Sequence, residues 1–240
     1  MNPFVESFYR GAREALQTAK DVRALKAVSS MAHTQLDHAF AEELSRSGST
    51  IACCAGCFYC CHLKVDVQPR DAFRIVDFIR SHFSPEKQEE VLRKAQINWE
   101  KIQPMTYHQH AGANLACPLL QDGRCSVYPV RPSTCRIHHS RRVEPCKESF
   151  DNPESLELPD EPVPAVRIAL ASAHYGITKA YEACGYDSKA YDINAALIEA
   201  MTNPRSEKRW RDGKAAFPKT MLAKEPDAAC QPNPQIAGDL

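Results

Sequence analysis

The sequence predicts a mainly α fold: a helical domain carrying a coil-rich, metal-stabilised cysteine-cluster insert. Three observations predict it. Apolar residues recur at steps of three and four on both sides of residues 51–150. Five of the eleven cysteines crowd into "CCAGCFYCC" at residues 53–61. Cys117, Cys125, Cys135 and Cys146 follow in a Pro- and Gly-bearing stretch of little periodicity. The chain therefore divides into a helical segment (1–50), a cysteine-cluster region (51–150), C-terminal helices (151–211) and a mobile tail (212–240).

In the first segment, Phe4, Phe8, Ala12, Ala15, Ala19, Val22 and Leu25 form one helix face. Leu36, Phe40 and Leu44 continue it after the weaker "SSMAH", where a helical hairpin is expected to turn. "RSGST" ends the segment. After the first cysteines, "QPRDAFRIVDFIRSHF" reads as a helix entered at Pro69, with Asp71 as its cap and Phe73, Val76, Ile79 and Phe83 inward. "SPEKQEEVLRKAQINWEKI" is another, with Ser84 as N-cap, Pro85 at the first helical position and Val91, Ala95 and Trp99 inward. Residues 104–150 read as loops held by something other than a core. "DNPESLELPDEPVP" is an acidic, Pro-rich linker, and "AVRIALASAHYGITKAYEACG" and "SKAYDINAALIEAMT" form a helical pair. The tail is rich in Pro and Ala and lacks a helical or strand period.

Composition excludes several classes. Thirty basic and thirty acidic residues cancel, which argues against general nucleic-acid binding. No stretch approaches the roughly 18 apolar residues of a membrane span, and the start has no cationic head leading into an apolar run. The chain reads as cytoplasmic, where thiols stay reduced and a dense cysteine group points to metal or catalysis rather than disulfides. No Gly-rich phosphate loop and no nucleophile elbow is present.

The cysteine chemistry is more specific. Cys54, Cys57, Cys60 and Cys61 form the pattern C-x2-C-x2-C-C. Paired C-x2-C knuckles suit zinc, whereas three thiols at successive two-residue gaps suit the corners of an iron–sulfur cubane. Adjacent Cys60 and Cys61 do not easily enter one small site, so one of them serves a second centre or face. With Cys117, Cys125, Cys135 and Cys146 the set reaches eight, enough for two tetrahedral sites or one cluster plus one ion. Gly123 supplies a turn between Cys117 and Cys125, and Pro129 and Pro132 stiffen the path to Cys135. Arg131, Arg136, Arg141, Arg142 and Lys147 are candidate counter-charges to the thiolates. His62, His138 and His139 flank the sulfurs and are candidate imidazole ligands, though the commoner role of such a histidine is outside the ligand set. Asp66 either meets the metal region or faces water. Cys53, Cys184 and Cys230 read as incidental thiols.

Two blocks carry a resemblance. "CAGCFYCCHLKVDVQPRDAFRI" and "CPLLQDGRCSVYPVRPSTCR" resemble the YkgJ-type cysteine-cluster family of zinc- or iron-chelating domains. The resemblance covers roughly residues 54–136. It implies metal chelation by Cys54, Cys57, Cys60, Cys61, Cys117, Cys125 and Cys135, with Cys146 a looser assignment. It also implies a link to flagellin lysine methylases, and so a protein-modification role as one option.

Three readings stay open. The first is an iron–sulfur or iron protein with a redox or modification role, enzymatic or not. The second is a zinc-stabilised interaction module. The third is a zinc or iron carrier. The expected partner in each is a metal ion or cluster.

Overall fold

The computed structural model describes residues 3–19, 21–155, 161–218 and 220. Helix α1 spans Pro3–Thr18 and α2 spans Val22–Ser47. The break falls just before Val22, where Asp21 accepts from the Ala24 N–H at 2.8 Å and caps α2. The expected turn at "SSMAH" is not there: those residues lie inside α2. The polarity that suggests a turn is explained by buried partners. Ser29 meets the Tyr181 hydroxyl at 3.1 Å, and His33 meets Asp71 at 2.6 Å. Gly48, at φ 63°, closes α2 in the left-handed conformation.

Strand β1 (Asp66–Val67) follows the first cysteines and leads into α3 (Pro69–His82) and α4 (Pro85–Ile102). Ser84 caps α4 as expected, accepting from the Lys87 N–H at 3.4 Å. Asp71 does not cap α3; its carboxylate is buried and turned to α2 and the second cysteine block. The stretch that reads as loops contains α5 (Tyr107–Ala111), a hairpin of β2 (Leu120–Gln121) and β3 (Arg124–Cys125), α6 (Ser133–Ile137) and α7 (Glu144–Asp151). Asp122 and Gly123 take φ of 48° and 70° at the hairpin tip, the two positive values a tight two-residue hairpin turn needs. These segments are not cut off from the core. Leu119, Val127 and Val130 are buried in it.

Helix α8 (Pro164–Ala183) is the central element, packed by α1, α2 and α6. Gly176 lets α1 approach: a Cβ there would stand 2.6 Å from the Val5 carbonyl oxygen. Strand β4 (Tyr191–Asp192), α9 (Ile193–Thr202) and α10 (Arg205–Arg211) complete the order. Tyr191 and Asp192 fall where the sequence suggests helix. Instead they pair antiparallel with β1, Asp66 opposite Asp192 and Val67 opposite Tyr191. Asp192 then caps α9, accepting from the Asn194 and Ala195 N–H groups. Helices α3 and α4 pack on α9.

The expected tail begins too early at Asp212. Ala216 and Phe217 are fully buried, and the Phe217 ring meets Phe73 at 5.4 Å and Tyr191 at 5.1 Å. The rest of the tail, with Cys230, and the centre of the acidic linker lie outside the described residues. Among the described residues, no helix is long and apolar enough to cross a membrane.

Candidate metal centre

The two cysteine blocks are joined through their backbones. The Cys117 N–H donates to the Cys61 carbonyl at 2.8 Å. In the first block the Cys57 N–H donates to the Cys54 carbonyl at 3.1 Å, the tight turn that a two-residue gap permits. A 3₁₀ turn over Tyr59–His62 then holds Cys60 and Cys61. In the second block β3 carries Cys125, α6 carries Cys135 and α7 carries Cys146. Helix α7 packs against the 3₁₀ turn. Phe150 of α7 meets Phe58, Tyr59 and His62 at 5.8, 5.6 and 4.8 Å, an aromatic wall beside the sulfurs.

Cys60 is the centre of the arrangement. It is within electrostatic reach of Cys57, Cys61, Cys125, Cys135 and Cys146. Its thiol is pushed far up, first by the hydrogen bond with Cys61 and then by burial. Burial is the first cause at Cys117, Cys135, Cys125, Cys57 and Cys146, all of them raised. Cys135 is pushed up to about 12, with Cys60 and Cys125 adding to burial. Without compensating charge these thiols stay neutral. A soft cation bound among them supplies that charge, so the donor set fits a thiophilic metal or cluster.

The thiols fall into an inner set and an outer set. Cys117, Cys125 and Cys135 are within electrostatic reach of one another, and Cys125 and Cys135 also reach Cys60. Cys53, Cys54 and Cys57 lie at the surface side, with Cys146 in reach of Cys53 and Cys57. Cys53 therefore belongs to the thiol neighbourhood, although it precedes the spaced pattern. Its Sγ accepts from the Ser140 N–H at 3.4 Å, a contact between blocks that no local spacing reveals. Cys184 lies away from them, near Arg13. Among the described residues, no three His, Cys, Asp or Glu side chains converge on one ion-sized point.

Of the five candidate counter-charges, Arg131 acts on the thiols Cys60, Cys125 and Cys135, drawing each of their pKa values down against burial. The others have carboxylate partners. Arg136 is held by Asp37, Arg141 by Glu161, Arg142 by Glu144 and Glu161, and Lys147 by Asp151. His139 is committed on both nitrogens: its Nδ1 donates to the Ile137 carbonyl at 2.9 Å, and its Nε2 accepts from the Val163 N–H at 3.0 Å. It is a structural histidine. His62 Nδ1 faces the Phe58 carbonyl at 3.3 Å while its ring joins the aromatic wall. Asp66 contacts Lys64, and its Oδ1 is buried without a hydrogen-bond partner.

Residues 52–156 match the family model CxxCxxCC, whose description is "Putative zinc- or iron-chelating domain". Comparison with curated proteins and with solved structures gives no match.

Proposed function

Residues 52–156 being a cysteine-cluster domain of this zinc- or iron-chelating family, we propose that the chain binds an iron–sulfur cluster or iron through thiolates. The ligands in this reading are drawn from Cys54, Cys57, Cys60, Cys61, Cys117, Cys125, Cys135 and Cys146. The observation that carries it is the number of thiols within reach of Cys60, which exceeds the four that one tetrahedral ion takes. An iron–sulfur cluster supplies one-electron chemistry when bound, and the role is then redox or protein modification. The chain's own residues set the conditions. Arg131 favours the thiolates of the inner set. The Cys117–Cys61 backbone bond fixes the spacing between blocks.

A second reading is a zinc-stabilised interaction module or a metal carrier. It is favoured by the inner group, because Cys117, Cys125 and Cys135 are in electrostatic reach of one another and Cys125 and Cys135 also reach Cys60, which supplies four thiols, the number a structural zinc takes. Anaerobic purification separates the two. The first reading expects a brown protein that bleaches on reduction, with acid-labile sulfide accompanying iron. A colourless protein with stoichiometric zinc and no sulfide would replace it with the second.

A further inference from the structure

Away from the cysteines, a cleft of about 260 Å³ opens between α2 and α3. Lys26, Ser30, Arg70, Arg74, Phe78 and Trp210 are among its lining residues. Arg70 is only 2% exposed. Its Nη2 donates to His174 Nδ1 at 3.3 Å and to Thr178 Oγ1 at 3.4 Å, and its guanidinium lies 5.1 Å from the centre of the Tyr181 ring. Its Nε and Nη1 are buried and have no hydrogen-bond partner. Arg74 Nε is in the same condition, while Arg74 Nη1 contacts Ser30. Buried guanidinium donors without a protein acceptor are rare in native proteins and call for an acceptor oxygen.

The nearby carboxylates do not supply it. Asp71 Oδ1 accepts from His33 and Ser133, Asp37 is taken by Arg136, and Asp77 and Glu207 are both held by Lys26 at 2.8 Å. Lys26 offsets one of these two carboxylate charges, and Arg70 and Arg74 keep three nitrogens without a hydrogen-bond partner. We propose that this cleft binds a small phosphate-type anion, held by Arg70 and Arg74. The planar fork of an arginine matches two oxygens of such a group. The volume leaves room for an apolar body against Phe78 and Trp210, so a free phosphate and a phosphate monoester share the recognised chemistry.

Trp210 makes the site observable. In the full chain as purified, with Trp99→Phe removing the only other tryptophan, inorganic phosphate is titrated at constant ionic strength set with chloride. A saturable change in Trp210 emission is expected, with a rise in Tm. Phenyl phosphate is the second arm. Tighter binding than inorganic phosphate assigns the apolar wall to the ligand, equal binding assigns the site to the free anion, and either supports the proposal. Arg74→Gln, at a half-buried position, is expected to weaken binding about tenfold or more while leaving Tm without phosphate and metal content unchanged. Arg70→Lys keeps the charge but loses the fork and is expected to weaken it as well. The proposal is overturned by an absent or non-saturable response, or by a saturable one that neither variant alters.

Discussion

His33 Nε2 donates to Asp71 Oδ1 at 2.6 Å, and Ser133 Oγ donates to the same oxygen at 3.0 Å. One buried carboxylate thus ties α2, α3 and α6 together, and its α6 partner, Ser133, stands two residues before Cys135. Burial opposes its charge, yet the His33 hydrogen bond and the nearby Arg70 hold its pKa well below the usual carboxylate range. Asp71→Ala leaves His33 and Ser133 unpaired in the interior and is expected to cost about 3 kcal/mol. Denaturant unfolding checks this. A loss below 1 kcal/mol would show that the linkage is dispensable.

His174 gives stability a pH window. Burial comes first and the charge of Arg70 second in lowering its pKa to about 4. The unfolded residue takes its proton near pH 6.5. Between those values the unfolded chain binds more protons, so stability is full above about pH 6.5 and falls as pH drops toward 4. His33, also lowered by burial, acts in the same direction. Asp71, whose pKa is depressed in the fold, adds stability that is present above the ordinary carboxylate value near pH 4 and is lost as pH falls below it. The His174 contribution is on the order of 3 kcal/mol. His174→Gln preserves an acceptor for Arg70 but cannot titrate. Urea midpoints measured from pH 7 to 4.5 should fall less steeply for this variant. Parallel profiles would rule the window out.

Gly176 sets the distance between α1 and α8. Gly176→Ala places a methyl 2.6 Å from the Val5 carbonyl oxygen and 3.2 Å from Phe8 Cβ, so α1 must shift. About 2 kcal/mol of destabilisation is expected. Gly11→Ala is the control, because its added Cβ meets Gln35 Nε2 at an ordinary 3.7 Å. That change is expected to be neutral or slightly stabilising, since helix-interior glycine costs about 0.5–1 kcal/mol relative to alanine. Equal effects from the two would contradict the packing argument.

Arg131→Gln removes the cation that draws down Cys60, Cys125 and Cys135. Thiolates then form less readily, and protons displace metal at a higher pH than in the parent. Metal release to a chromophoric chelator, followed as pH is lowered, should shift upward by about half a unit or more. Arg142→Gln, whose charge is taken by Glu144 and Glu161, should leave the curve in place. A matching shift in both variants would mean that any basic residue of the loop serves.

Cys53 and Cys184 should differ. Cys53→Ala removes a thiol close to Cys57 and Cys146, together with its contact to the Ser140 N–H. Metal retention under chelator challenge is expected to weaken severalfold. Cys184→Ala should retain metal like the parent. Identical retention in all three proteins would return Cys53 to the status of an incidental thiol.

The helical class was legible because apolar periodicity reports burial directly: the inward faces of α3 and α4 follow from Phe73, Val76, Val91 and Ala95. The cysteine region was legible because close thiol spacing is a local signal. What misled was polarity whose partner is distant in sequence. Ser29 and His33 look like a turn until Tyr181 and Asp71 are placed beside them. Asp71 looks like a cap for the same reason. Cys53 fails the spacing rule yet enters the thiol neighbourhood through Ser140. Of five basic residues near the sulfurs, the sequence could not separate Arg131 from those claimed by carboxylates, because ion pairs such as Arg136–Asp37 join different helices.

The short pairing of β1 with β4 has a temporal consequence. Asp66 and Asp192 lie more than half the chain apart, yet they sit opposite each other across one ladder. During synthesis the first five cysteines leave the ribosome long before Tyr191 and Asp192 exist to hold β1. The nascent chain therefore carries this thiol loop without its β4 partner until residues 191–192 have been made. Closing such a long loop is entropically expensive and slow. A metal that reaches the first block early meets a flexible chelator with little geometric preference. Under the proposed function, discrimination between metals then falls to the finished fold and to the order in which loading and closure occur.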